Sequence, residues 1–348
     1  MEQKIHFDTD YMAGAHPAVM EALVATNLEE TTGYGEDSYT TQAKHLILEA
    51  CGASAEDTEV HFLVGGTQTN AVAIGSMLRS HQGVLAADTA HINVHEAGAI
   101  ELGGHKVLTL PSHAGKVKAE EVEEWVDGFY ADETWPHMVQ PAVLYITHPT
   151  ELGAVYSLAE IERLSDFCHK KGIYLYLDGA RLAYGLGASD VTLKDLTRLC
   201  DAFYIGGTKC GALLGEALVM RKGLAPGFFS VMKQHGAVLA KGKVLGVQFK
   251  SLFTNGLYEE IGRHGLAMAQ MLKKGMTSLG YKSIGDPPTN QQFFRIPNTI
   301  VDTLRNYASF EVWGAPGKET TDVRFVTSWA TRQEDVERFL HLAPRVAD

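Results

Sequence analysis

Cysteine is scarce: Cys51, Cys168, Cys200 and Cys210 are the only four in 348 residues, with no CxxC pair and no histidine at zinc-finger spacing. This excludes a disulfide framework and a structural zinc site, and it suits a reducing compartment. No apolar run approaches the roughly 20 residues needed to span a bilayer, and the opening MEQKIHFDTDYM has no apolar stretch resembling a signal peptide. A cytoplasmic protein without a membrane partner is expected. Basic residues are outnumbered 30 to 42, for a formal charge of -12, and no long basic run occurs. That balance argues against nucleic acid as a partner and leaves small metabolites as the expected ligands. Internal repeats and low-complexity segments are also lacking.

Short β-branched or aromatic runs are plentiful. VHFLV (60–64), VLAAD (84–88), KVLTL (106–110), AVLYIT (142–147), YLYLD (174–178), AFYIG (202–206) and EALVM (216–220) alternate with segments of helical composition. Strands alternating with helices predict an α/β fold with a mainly parallel sheet covered on both faces. SLAEIERLSDFCHKK (157–171) sets Leu158, Ile161, Leu164 and Phe167 on one face behind a Ser157 cap, with Glu160 placed for a capping box, and so predicts a helix. From about residue 245 the rhythm weakens. A helical stretch over 257–279 is expected to end at Pro287 and Pro288. With 45% hydrophobic residues, the chain exceeds what one compact core usually holds. The reading is a large domain over 1–245 and a smaller α/β domain over 246–348.

Ligands of open parallel sheets sit outside the carboxyl ends of the strands, so the residues following each run are the candidates for a site. GGTQTN after VHFLV is either a phosphate cradle at a helix N-terminus or simply a tight turn. Asp178, ending YLYLD, is an expensive carboxylate in an apolar strand. It either pairs internally with Arg181 or binds a protonated ring nitrogen. Lys209, in the apolar stretch FYIGGTKCGALLGEALVM, follows 31 residues later at the end of the next strand, one βαβ step away. A buried ammonium must be paired, shed its proton or enter a covalent bond. His91 and His95 are four apart but lack a third ligand and an HExxH arrangement, which favours a histidine stacked on an aromatic ligand or a satisfied core histidine over a metal pair. No metal is expected.

GGTQTN, TAHINVHEAGAIE, DGAR and GGTK, in that order, resemble the fold-type I pyridoxal-phosphate enzymes, and most of all the threonine aldolase and β-eliminating lyase family. FDTDYMAGAHP, GYGED, KQHGAVLAKGKVLG and VRFVTSWAT extend the likeness over nearly the whole chain. The resemblance implies an aspartate aminotransferase-like fold with a seven-stranded sheet and pyridoxal 5′-phosphate as cofactor. It implies that Lys209 carries the cofactor as an imine, Asp178 binds the pyridine nitrogen and His91 stacks on the ring. Gly66, Thr67 and Thr208 would hold the phosphate, with Lys241 standing where many members have a phosphate-binding arginine. Arg181 and Arg324 match the carboxylate-binding arginines, with Thr9 as a helper. Tyr34 matches a tyrosine donated by a neighbouring subunit, so a homodimer or homotetramer with shared sites is implied. In YITHPTELG a proline follows the histidine, and His148 is the expected base toward the substrate's side-chain hydroxyl.

The implied activity is a low-specificity L-threonine aldolase, which cleaves β-hydroxy amino acids to glycine and an aldehyde. A β-eliminating lyase or an aminotransferase on the same scaffold is the alternative. A catalytically idle binding protein has no evident reason to keep the lysine, the acid and both arginines together.

Overall fold

A computed structural model describes residues 4–346. The seven runs form one sheet: β1 (Thr58–Leu63), β2 (Gln82–Ala87), β3 (Val107–Leu110), β4 (Gln140–Thr147), β5 (Tyr174–Asp178), β6 (Ala202–Gly206) and β7 (Glu216–Arg221). Their spatial order is β1-β7-β6-β5-β4-β2-β3. All neighbours are parallel except β7, which runs antiparallel to both β1 and β6. The sheet is therefore mixed, and the antiparallel β7 follows from the short return after Lys209, too brief for the crossover helix that a parallel partner requires. Its central strands are buried on both faces, which is why they read as continuous apolar runs rather than alternating ones.

The helix Leu158–Lys171 forms as its pattern predicts. Ser157 accepts the Glu160 N–H, Glu160 reaches back to the Ser157 N–H, and Ile161, Leu164 and Phe167 are buried. Such a cap contributes about 1 kcal/mol. Helix Leu257–Ser278 ends ahead of Pro287 and Pro288, because Gly280 adopts φ +91°, a conformation other residues rarely take. The prolines lie in the connection that follows.

A second, four-stranded sheet runs Glu311–Val312, Thr320–Val326, Gln291–Pro297, Lys282–Ser283, with antiparallel neighbours. Its core unites Leu272, Met276, Phe294, Phe325 and Phe339 with Ile5 and Phe7 from the start of the chain. Phe7 packs edge-on against Phe325 and Phe339, with ring centroids 5.9 and 5.3 Å apart. Conversely, Leu245, Phe249, Leu252, Tyr258 and Ile261 belong to the core of the large sheet. The two cores therefore do not divide at residue 245. The N-terminal segment joins the smaller unit, and the larger one continues into the long helix. In crossing between them, that segment carries Asp10 and Tyr11 past the carboxyl ends of the large sheet.

Candidate active site

Parallel pairing brings β1, β2, β4, β5 and β6 to one edge with their carboxyl ends together, and antiparallel β7 begins at the same edge. Thr147 is in register with Asp178, and Gly206 with Glu216. A cavity of about 300 Å³ opens there. Its wall includes Gly66 and Thr67 after β1, His91 and Glu96 after β2, and Thr147 and Glu151 at the end of β4. Asp178 at the end of β5, Arg181 after it, Thr208 and Lys209 after β6, Glu216 from β7, and Tyr11 and Tyr204 also line it.

Asp178 is 2% exposed and is not paired with Arg181. Tyr204 and Tyr145 each donate a hydroxyl to it at 2.6 Å, Asn70 an amide N–H at 3.0 Å, and Ala180 a backbone N–H at 3.0 Å. Four donors satisfy a buried carboxylate without a cation. Arg181 instead grips Asp10 by two bonds, Nε to Oδ2 at 2.6 Å and Nη2 to Oδ1 at 3.0 Å. Burial alone would raise the Asp10 pKa, but Arg181 and Lys209 together hold it below the ordinary value.

Burial and the nearby Arg181 lower the Lys209 pKa, against the pull of Asp10, Asp178 and Glu216. Its ammonium lies 5.9 Å from the centre of the Tyr11 ring, and the Tyr184 hydroxyl holds its carbonyl at 3.0 Å. Glu216 is buried; its Oε2 accepts the Gly207 N–H at 2.9 Å, and its pKa is pushed up to about 8, mainly by desolvation. The Thr208 hydroxyl accepts the Gly215 N–H at 3.1 Å and also meets the Glu216 carboxyl.

His91 is fixed from two sides. Its Nδ1 meets Glu96 Oε1 at 2.8 Å, and its backbone N–H donates to Glu151 Oε1 at 2.8 Å. Asn70 donates to Glu96 at 2.7 Å and to Asp178 at 3.0 Å, so a hydrogen-bonded chain runs His91–Glu96–Asn70–Asp178 beneath the cavity. Among the described residues, no group of three or more His, Cys, Asp or Glu is arranged to hold a metal ion.

Other predicted positions lie elsewhere. His148 is fully buried and does not line the cavity. Its Nδ1 accepts the Tyr156 N–H at 3.2 Å, its Nε2 faces the Ser189 hydroxyl at 3.3 Å, and burial takes its pKa down to about 4. The ring is tied into the protein, so the expectation of a base facing substrate is corrected. Thr9 also misses the cavity and lines a separate groove with Phe7 and Thr331. Arg324 is held by Gln291 Oε1 at 2.9 Å, by Glu311, and over the Trp313 ring at 4.9 Å; its Nε has no partner. It stands outside the lining yet close enough that burial and Arg181 together lower its pKa. Tyr34 and Lys241 lie apart from the cavity, beside each other, with the Tyr34 N–H donating to Ala240 O at 3.1 Å.

Tyr11, Asn70, Glu96, Tyr204, Glu151 and Glu216 were not singled out by sequence reasoning. The two glutamates closing TE (150–151) and GE (215–216) carry the available signal: single acids inside otherwise apolar or glycine-rich runs.

The wall suits a flat anionic heterocycle. Helix Gly66–Met77 starts without a side-chain cap, leaving first-turn N–H groups for an anion, and a Cβ at Gly66 would come 2.9 Å from the Tyr204 hydroxyl. The Asp178 carboxylate, the imidazole of His91 and the Lys209 amine surround the same space.

Residues 6–298 match the family described as beta-eliminating lyase. A low-specificity L-threonine aldolase of Pseudomonas sp. (strain NCIMB 10558) is 28% identical over 343 residues, 96% of each chain. A threonine aldolase structure from Leishmania major is 38% identical, covers 97% of this chain and 98% of its own, and superposes with a TM-score of 0.94. Aspartate aminotransferase of Thermus thermophilus, at 16% identity, covers 99% of this chain and 92% of its own with a TM-score of 0.71, a likeness of fold alone. This fold and family are typical of pyridoxal-phosphate enzymes. The chain belongs to the β-eliminating lyase family and is one of its threonine aldolase-like lyases.

Proposed function

We propose that this chain is a low-specificity L-threonine aldolase that binds pyridoxal 5′-phosphate and cleaves β-hydroxy amino acids to glycine and an aldehyde. One observation carries the reading: Lys209, Asp178, His91 and the uncapped start of helix Gly66–Met77 share one cavity wall, in a chain 38% identical to the Leishmania major enzyme. Gly66 and Thr67 would hold the phosphate with backbone N–H groups. Asp178 would bind the ring nitrogen, His91 would stack on the ring, and Lys209 would be the anchoring amine. Thr208 steadies the Lys209 loop through Gly215 and Glu216. When bound, pyridoxal phosphate supplies an electron sink for the bonds at the substrate's Cα.

The chain's own groups set which bond is used. Arg181 keeps its Nε edge on Asp10 and offers the rest of its fork to the α-carboxylate. Arg324 adds a second contact once the carboxylate displaces Glu311. Fixing the carboxylate fixes the rotation about the bond to Cα, and with it whether Cα–Cβ or Cα–H is cleaved. The lowered pKa of Lys209 keeps more of its amine neutral and nucleophilic than in an ordinary lysine. Tyr34 and Lys241, set apart from the chain's own cavity, serve the cavity of a second copy, making the enzyme a homo-oligomer with shared sites. The four cysteines, all unpaired and buried, suit the reducing cytoplasm.

The test is to load purified protein with pyridoxal phosphate and supply L-threonine. Equal amounts of glycine and acetaldehyde are expected. Ammonia with a keto acid assigns the chain to elimination, and a keto acid with an aminated cofactor assigns it to transamination.

A further inference from the structure

Retro-aldol cleavage needs a group to take the proton from the substrate's β-hydroxyl, and the buried, doubly engaged His148 is not available for it. Four carboxyls line the cavity: Glu96, Glu151, Asp178 and Glu216. Both oxygens of Asp178 are occupied by four donors. Glu96 has no exposed side-chain surface and puts Oε1 against both His91 Nδ1 and Asn70, behind the imidazole. Glu216 opens β7 beside the Lys209 loop and holds the Gly207 N–H. Glu96 and Glu151 each keep one oxygen without a partner, but Glu96 stands behind the imidazole, whereas Glu151 is 8% exposed at the cavity wall. Its Oε1 is pinned by the His91 backbone N–H at 2.8 Å and the Thr147 hydroxyl at 3.0 Å, and its Oε2 has no partner. A buried carboxylate oxygen without a donor is costly, and it is satisfied when a ligand brings an O–H.

We propose that Glu151 is the catalytic residue that accepts the proton of the substrate's β-hydroxyl, with Thr147 and the His91 N–H positioning its carboxyl. This rests on the aldolase reading above. The β-O–H bond breaks and its proton passes to Glu151. The oxygen pair becomes the second bond of the aldehyde carbonyl. The Cα–Cβ bond breaks and its electrons remain with Cα until Cα takes a proton and glycine leaves; pyridoxal phosphate, when bound, would supply the sink for them. Burial raises the Glu151 pKa, with the neighbouring charge of Asp178 adding to it, so the carboxylate is a stronger base than an exposed glutamate.

The experiment separates cleavage from chemistry at Cα in the cofactor-loaded enzyme. Glu151→Gln is expected to slow acetaldehyde release about 100-fold or more. Exchange of the glycine α-proton with solvent deuterium, followed by NMR, stays within about threefold of wild type. So does the cofactor dissociation constant read by absorbance, since neither requires a base at the β-hydroxyl. In Glu151→Ala, added formate restores at least about tenfold of the lost cleavage by supplying a carboxylate in the vacated space. If Glu151→Gln fails to hold cofactor, Thr147→Val provides the same comparison, with cleavage down about tenfold and exchange unchanged.

Cleavage by Glu151→Gln within threefold of wild type overturns the proposal. An equal fall in cleavage and exchange without formate rescue overturns it as well, because that marks a structural role. Wild-type enzyme releasing no aldehyde from any β-hydroxy amino acid overturns the aldolase reading itself, and this inference with it.

Discussion

Asp10 and Arg181 form a buried two-bond ion pair across the domain junction, with Asn290 adding a third contact to Asp10 at 2.9 Å. The pair ties the N-terminal crossing segment to the end of β5 and orients the guanidinium that the proposed function assigns to the substrate carboxylate. The Asp10 carboxylate side chain is fully buried and that of Arg181 is 10% exposed, so removing one partner strands a charge.

Asp10→Asn therefore releases Arg181 from its fixed orientation. The expected outcome is a KM for threonine raised about 10- to 100-fold, matching a lost charged hydrogen bond of about 1.5–3 kcal/mol. Steady-state kinetics across threonine concentrations reads this, and chemical denaturation shows a fall of about 3 kcal/mol in stability.

His148→Gln is expected to leave cleavage within about threefold of wild type, because the ring lies outside the cavity with both nitrogens on protein partners. Its cost falls on stability instead, about 1–3 kcal/mol for loosening a buried polar contact. A loss of kcat of about 100-fold with unchanged stability would return the histidine to the reacting atoms.

The rate at which apoprotein captures pyridoxal phosphate depends on the neutral amine of Lys209. The groups facing that amine are Asp10 and Tyr11 from the N-terminal segment, Asp178 and Arg181 from the β5 end, and Glu216 from β7. With the Lys209 pKa lowered, capture is half-maximal below the pH at which an ordinary lysine loses its proton. Glu216, at about 8, favours the ammonium once ionised. Glu216→Gln removes that anion, so the midpoint moves to lower pH. Stopped-flow absorbance across pH checks both shifts.

Much of the frame was legible in the sequence because it rests on local pattern. The runs 174–178 and 202–206 coincide with β5 and β6, and the Ser157 capping box forms as its spacing predicts. The points gathered at the sheet edge were visible because glycine and isolated charge stand out against apolar strands. What escaped depends on contacts between distant residues. Arg181 was weighed against Asp178, three residues away, whereas its partner Asp10 lies 171 residues earlier. Phe7 joins the second core only because the chain's start crosses to it. Glu151 and Glu216 show in sequence only as single acids beside glycine or apolar residues, and burial against the cavity is what marks them as part of the site. His148 sits next to Thr147, which lines the cavity, but the chain turns its ring inward to Tyr156 and Ser189.

The most direct measurement is reduction of cofactor-loaded protein with borohydride, followed by digestion and mass spectrometry. The account predicts one added pyridoxyl phosphate group per chain, on the peptide containing Lys209, and none in Lys209→Ala. A label on any other lysine, or the same labelling in the variant, would contradict it.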